Sequence, residues 1–151
     1  FSITSLGGGA SIFITSDLAT WTEHPIEASG GLHSFGGFVS TPNGMVVVGY
    51  EIQPYSDIED RRPEQRAWRS PDGHTWLPMT PPDDEGELSD VAWDPARERL
   101  VIVGTDGAGR PRAWLGDDAG WGSSALADDL GRITELAGTD GLLAADGHVQ
   151  T

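Results

Sequence analysis

The chain has 151 residues, with 24 acidic and nine basic side chains, and a formal net charge of −15. Every basic residue is an arginine, and neither lysine nor cysteine occurs. These absences exclude lysine Schiff-base chemistry, thiol nucleophiles, iron–sulfur clusters, cysteine zinc sites and disulfides. The charge disfavours binding to nucleic acids, and no apolar run is long enough to predict membrane insertion.

One sequence pattern recurs three times along the chain. Residues 12–21 alternate in polarity and end in a turn that carries an aspartate and a tryptophan, and residues 67–76 repeat this arrangement. Residues 112–121 form a third copy that is shorter by one turn residue. The closing tryptophans are 55 and 45 residues apart, which is the spacing of a structural repeat.

The segments upstream of these copies repeat as well. The apolar run at 45–49 matches the run at 100–104 and, more loosely, residues 142–146. A further short strand is predicted ahead of each run, at 32–40, 88–93 and 133–137. Turn signals separate the paired strands: Pro42-Asn43-Gly44, Asp94-Pro95-Ala96-Arg97 and Asp140-Gly141. Each repeat therefore predicts an antiparallel meander.

The repeat predicts an all-β fold built from four-stranded meanders, which are typical of β-propeller blades. The positions of the copies along the chain predict thirteen strands in groups of three, four, four and two, which amounts to about three blades. We interpret 1–151 as a single partial β-propeller domain. In that interpretation 1–31 end one blade, 32–87 and 88–132 form two blades, and 133–151 start another.

Three blades do not readily close a ring, because propellers have about four to eight blades. One alternative is that the chain is part of a longer propeller. A second is a homo-oligomer, in which another copy completes the ring. A third is a small sheet domain that does not close.

The middle turn carries a recognisable motif. Ser70-Pro71-Asp72-Gly73-His74-Thr75-Trp76 resembles the Asp-box, or BNR repeat, of sialidases and sortilin-type receptors, whose pattern is S-x-D-x-G-x-T-W. The copy here has one residue fewer between the aspartate and the tryptophan. The other two turns keep fewer of the motif residues: Thr15, Asp17, Thr20 and Trp21 in the first, and Asp117 and Trp121 in the third.

The residues of the motif suit a local structural role. A turn aspartate accepts hydrogen bonds from nearby backbone N–H groups, and Ser70 and Thr75 can add hydroxyl bonds. Gly73 permits a positive φ, and Trp76 is expected to be buried beneath the turn. The resemblance implies that these boxes lie on the blade rim, away from an active-site face.

Sialidase chemistry is not predicted for this chain. The resemblance would imply an arginine triad, a Tyr–Glu pair, an acid/base aspartate and an F/Y-R-I-P motif, but the sequence lacks that motif and its arginines are clustered. No histidine has metal-ligand spacing. We therefore expect no cofactor, although acidic runs at 83–85, 117–118 and 128–129 could hold a weak Ca²⁺.

The first repeat has an insertion of about ten residues, between Gly49 and Gln65. Such loops on a rigid scaffold often carry recognition, although a neutral surface loop is the alternative. The candidate recognition residues are Tyr50, Tyr55, Arg61 and Arg62.

The sequence most favours a non-catalytic binding or scaffold module that recognises a protein or a glycan. The alternatives are a fragment of a sialidase-like glycoside hydrolase whose catalytic blades are missing, and a purely structural domain. The resemblance implies secretion or cell-surface display, while the lack of cysteine suits the cytoplasm equally.

Overall fold

The computed structural model describes residues 2–6, 9–15, 17–26, 32–52, 63–117, 119–125, 133–139 and 142–147. Every regular element in these ranges is a β-strand, and all strand pairs are antiparallel. No helix long and apolar enough to cross a membrane occurs in the described part of the chain. The predicted all-β class is confirmed.

In the described ranges, thirteen strands form four sheets in chain order. The first sheet contains β1 (Ser2–Leu6), β2 (Gly9–Ile14) and β3 (Thr22–Ile26). The second contains β4 (Leu32–Thr41), β5 (Gly44–Ile52), β6 (Glu64–Ser70) and β7 (Leu77–Met79). The third contains β8 (Glu87–Asp94), β9 (Arg99–Thr105), β10 (Pro111–Asp117) and β11 (Gly120–Ala125). The fourth contains β12 (Ile133–Thr139) and β13 (Leu142–Gly147).

Each strand pairs with its neighbour in the chain, so the sheets are simple meanders. The grouping of three, four, four and two strands is the grouping that the repeat predicted. The described residues form four open sheets and no closed barrel or ring. Their arrangement as propeller blades therefore stays a prediction.

Two apolar clusters pack the sheets against each other. Val47 on β5 packs towards the first sheet, while Val46 and Val48 on the same strand pack towards the third. Because neighbouring strand residues point to opposite faces, a continuous apolar run is what a strand covered on both sides requires. The second sheet is therefore the middle layer of the three that carry both clusters.

The first strands of successive sheets lie close together and share a distortion. β4, β8 and β12 each have a register shift against their hairpin partner, at 35–37, 88–90 and 133–135. A Cβ atom on Gly36 would lie 2.3 Å from the carbonyl oxygen of Leu88, so only glycine allows this approach of β4 to β8. On the other side of β8, Asp90 accepts a hydrogen bond of 2.6 Å from the backbone N–H of Leu136 on β12.

Candidate functional site

The Asp72 turn joins β6 to β7 and is closed by its own side chains. The carboxylate of Asp72 accepts hydrogen bonds of 2.8 Å from the backbone N–H groups of both His74 and Thr75, and the Ser70 hydroxyl donates to it at 3.1 Å. The backbone N–H of Thr75 is the largest cause, followed by that of His74, of a lowered pKa of Asp72, about 2. Gly73 has a φ of 76°, the positive value predicted from the sequence. The predicted local hydrogen-bond pattern is present.

The first turn keeps this geometry with a different residue at the glycine position. Asp17 accepts from the backbone N–H groups of Thr20 at 2.8 Å and Ala19 at 2.9 Å, and these bonds lower its pKa to about 2. Leu18 stands where the middle copy has Gly73, and it adopts a φ of 60° with a side chain that is 81% exposed. A leucine in the left-handed region is strained.

The third turn is the least complete. The carboxylate of Asp117 accepts a hydrogen bond of 2.8 Å from the backbone N–H of Ala119. Its middle position, Asp118, lies outside the described residues.

The tryptophans that follow the three repeated turns differ in burial. Trp76 is 5% exposed and packs in the cluster between the first two sheets, with Ile12 of β2 among its neighbours. Trp121 is half-buried against the cluster between the second and third sheets, and its indole N–H donates to the carbonyl of Thr80 at 3.1 Å. Trp21, in the first sheet, is 43% exposed. Both Trp76 and Trp121 thus pack towards the sheet that precedes their own.

The insertion joins the paired strands β5 and β6, and most of it lies outside the described residues. Tyr55, Arg61 and Arg62 are in the part that the structure does not describe, whereas half-buried Tyr50 lies near the end of β5. Next to it, fully buried Glu51 accepts a hydrogen bond of 2.9 Å from Nε of Arg66 on β6. Of the four candidate recognition residues, Tyr50 is therefore the one that lies in the described part of the chain.

Buried Gln65 ties this base to the third sheet. Its Nε2 donates to the carbonyl of Thr105 at 3.2 Å, and its Oε1 accepts from the backbone N–H of Asp83 at 3.0 Å. Pro63 accepts a hydrogen bond of 2.9 Å from the backbone N–H of Gly86. Since the side chain of Gln65 is completely buried, both its polar groups need these partners.

Asp106 organises the β9–β10 connection and was not singled out by the sequence. Burial alone would raise the pKa of Asp106, but hydrogen bonds from the backbone and guanidinium of Arg110 and from Arg112 lower it to about 2. The backbone N–H of Ala108 adds a further bond of 3.0 Å. The sequence signal was an aspartate ahead of a Gly-x-Gly turn with two following arginines.

A groove of about 190 Å³ opens between the second and third sheets, at the end where the Asp72 and Asp117 turns lie. Apolar side chains form part of its lining: Met45, Val46, Met79, Trp93 and Leu100. Polar side chains line the rest: Thr41, Asn43, Arg69, Glu98 and Asp117. Chemically, this lining can cover one apolar face of a small group while exchanging hydrogen bonds with its edges.

The acidic runs considered for calcium do not converge in the described residues. Asp83 accepts the backbone N–H of Asp84 at 2.8 Å, which is turn chemistry, and 128–129 lie outside the described ranges. Within those ranges, there is no group of three or more histidine, aspartate or glutamate side chains that could hold a metal ion.

Comparisons of the chain with profiles of protein families, with curated proteins and with solved structures found no match.

Proposed function

We propose that this chain is a non-catalytic binding module of β-propeller type, and that the groove between its second and third sheets holds part of a glycan or protein ligand. The groove is the observation that carries the proposal, because a concave apolar surface with a few converging polar groups is the usual form of a binding site. Its volume of about 190 Å³ is below that of a site for a drug-sized ligand. One sugar ring or one side chain is the unit that fits.

The lining favours a neutral sugar over an anionic one. Arg69 contributes one positive charge, while Glu98 and Asp117 contribute two negative charges. The indole of Trp93 offers an apolar surface of the kind that covers a sugar face, and Asn43 can both donate and accept hydrogen bonds from hydroxyl groups.

The close packing of the first strands supports the propeller part of the proposal. In a blade ring the first strand of each sheet lies nearest the centre, and β4, β8 and β12 are neighbours here. We also propose that a second copy of the chain completes the ring, as in the homo-oligomer alternative. Trp21 supports this, because it is exposed whereas its equivalents Trp76 and Trp121 each pack on a preceding sheet. A sheet from a second copy would cover it, and sedimentation of wild type and Trp21→Ala would then give a larger mass for wild type.

The groove is tested by screening an array of neutral and sialylated glycans, followed by calorimetry with the strongest hit. Asn43→Ala and Arg69→Gln should each weaken binding, because both side chains line the groove. Arg99→Gln is the matched control, since Arg99 is an exposed arginine of the third sheet outside that lining. Equal loss in all three variants, or no loss in any, would refute the groove as the site.

The hydrolase alternative is tested with this chain and with a longer chain that includes further blades, because that alternative places the catalytic residues on blades outside these 151 residues. A glycoside hydrolase needs two positioned carboxyl groups and would turn over a fluorogenic sialoside. The binding module should bind its glycan and release it unchanged. Sustained turnover by purified wild type, lost in a variant of this chain, would replace the binding proposal with the enzymatic one.

A further inference from the structure

Two histidines meet across the interface between the first and second sheets. His24 lies on β3 and is buried, with 9% of its surface exposed, while His74 lies in the Asp72 turn. Nε2 of His24 and Nδ1 of His74 are hydrogen-bonded at 3.3 Å, and the two rings meet edge to face with centroids 4.6 Å apart; a bound metal ion would replace this hydrogen bond. The pair is separated by 50 residues in the chain and joins two different sheets.

The repeat itself does not require either histidine. Counted from the tryptophans that follow the repeated turns, His24 corresponds to Met79 in the second sheet, and His74 corresponds to Ala19 and Ala119. Met79 is a buried member of the cluster between the second and third sheets, so that interface is built with an apolar residue at the position. The histidine pair is therefore an addition at one interface and not a demand of the fold.

The separation of the two nitrogens matches a shared metal ion. Zinc–imidazole bonds of about 2.0–2.1 Å at the tetrahedral angle place two ligand nitrogens about 3.3–3.4 Å apart. We propose that His24 Nε2 and His74 Nδ1 bind a single borderline divalent transition-metal ion, such as Zn²⁺, Ni²⁺ or Cu²⁺, which clamps the first sheet to the second. Water would complete its coordination.

The surroundings favour such an ion without supplying a third protein ligand. Asp72 lies two residues before His74, and its negative charge attracts a cation electrostatically. Its Oδ1 already accepts bonds from the backbone N–H groups of the turn and from the Ser70 hydroxyl, and its Oδ2 accepts a long bond of 3.5 Å from the Thr75 hydroxyl. The two imidazoles are the ligands, and borderline metals prefer imidazole over the hard-cation ligand set of carboxylates and carbonyls.

The test measures zinc and nickel binding by calorimetry and thermal unfolding in the full chain. His24→Met and His74→Ala introduce residues that the repeat uses at the same positions, so both variants are expected to fold. Each should weaken zinc affinity about tenfold or more, since even partners outside the ligand set typically contribute that much. His33→Gln and His148→Gln replace the other two histidines and should leave the affinity unchanged.

A nitrogen-detected NMR titration identifies the atoms. Zinc should shift Nε2 of His24 and Nδ1 of His74 and leave the proton on the other nitrogen of each ring. The proposal is overturned if wild type binds no zinc, if both repeat-based variants bind as wild type does, or if other nitrogens shift.

Discussion

The tryptophans that follow the first two repeated turns allow a direct test of how the sheets pack. Trp76 and Trp21 occupy equivalent positions after equivalent turns, but Trp76 is 5% exposed and Trp21 is 43% exposed. Replacing each by alanine therefore compares one side chain in two environments. The local turn is the same in kind, so the difference reports the contact with the preceding sheet.

The magnitude follows from burial and from one polar atom. Truncating a buried aromatic side chain to alanine typically costs about 3–5 kcal/mol. The buried indole N–H of Trp76 has no hydrogen-bond partner among the described residues, and an unpaired buried donor costs about 1–3 kcal/mol. Removing this unpaired N–H offsets part of the stability lost by truncating the ring, so Trp76→Ala should destabilise the protein by about 3 kcal/mol. Trp21→Ala should cost below about 1 kcal/mol in the monomer, measured at protein concentrations below those at which a homo-oligomer forms.

Urea unfolding followed by circular dichroism measures both values, and thermal unfolding checks them. For a chain of this length, about 3 kcal/mol corresponds to a fall in Tm of roughly 6–12 °C. Trp76→Phe separates the two contributions, because it keeps an aromatic ring and removes the unpartnered N–H; we expect it to cost less than about 1.5 kcal/mol. Equal losses for Trp76→Ala and Trp21→Ala would refute the difference in packing, and would indicate that Trp21 is covered in solution.

Three further predictions concern the turns. Leu18→Gly should stabilise the protein by about 1 kcal/mol in urea unfolding, because leucine at a φ of 60° is strained and glycine is not, and a loss of stability would contradict this. Asp72 has a pKa of about 2 against an ordinary value of 3.8, so its stabilisation is complete above pH 3.8 and is lost as the pH falls through 2. The stability difference between wild type and Asp72→Asn should therefore shrink between pH 4 and pH 2, and a difference that stays constant would argue against the turn bonds. Asp106→Asn should lower the free energy of unfolding by about 2 kcal/mol, because it weakens the charge-assisted bonds to Arg110 and Arg112. Hydrogen exchange of the Ala108 amide, which bonds to Asp106, should become faster, and unchanged exchange there would refute the prediction.

The strand pattern was predictable because its signals are local. The apolar runs at 45–49 and 100–104, the intervening turn residues and the spaced tryptophans determined both the strand class and the grouping into four sheets. The sequence also predicted the bonds of the Asp72 turn, since the carboxylate reaches its partners two and three residues on. Alternation and turn chemistry act over a few residues, which is the range a single sequence displays.

The contacts between sheets were not predictable in the same way. The register shifts of β4, β8 and β12 fit one first strand beside the next, and no residue type marks them in common. The His24–His74 contact and the groove lining likewise depend on how separate sheets are placed. One signal could have pointed to the histidines, because each departs from the residue that the repeat uses elsewhere, Met79 or Ala19.

Equivalent side chains of successive sheets pack towards the same neighbour in chain order, and this helps to separate residues needed for packing from candidate functional residues. Trp68 of β6 and Trp114 of β10 both pack towards the preceding sheet, whereas Ala67 packs towards the following one. The two interfaces among the first three sheets thus each contain a tryptophan contributed by the following sheet. Where a residue differs from its equivalents in the other repeats, the packing of the repeat does not account for its presence. The histidine pair differs in this way between the first two sheets, and the groove lies between the second and third, so each proposed site occupies its own interface and can be removed by mutation without the other.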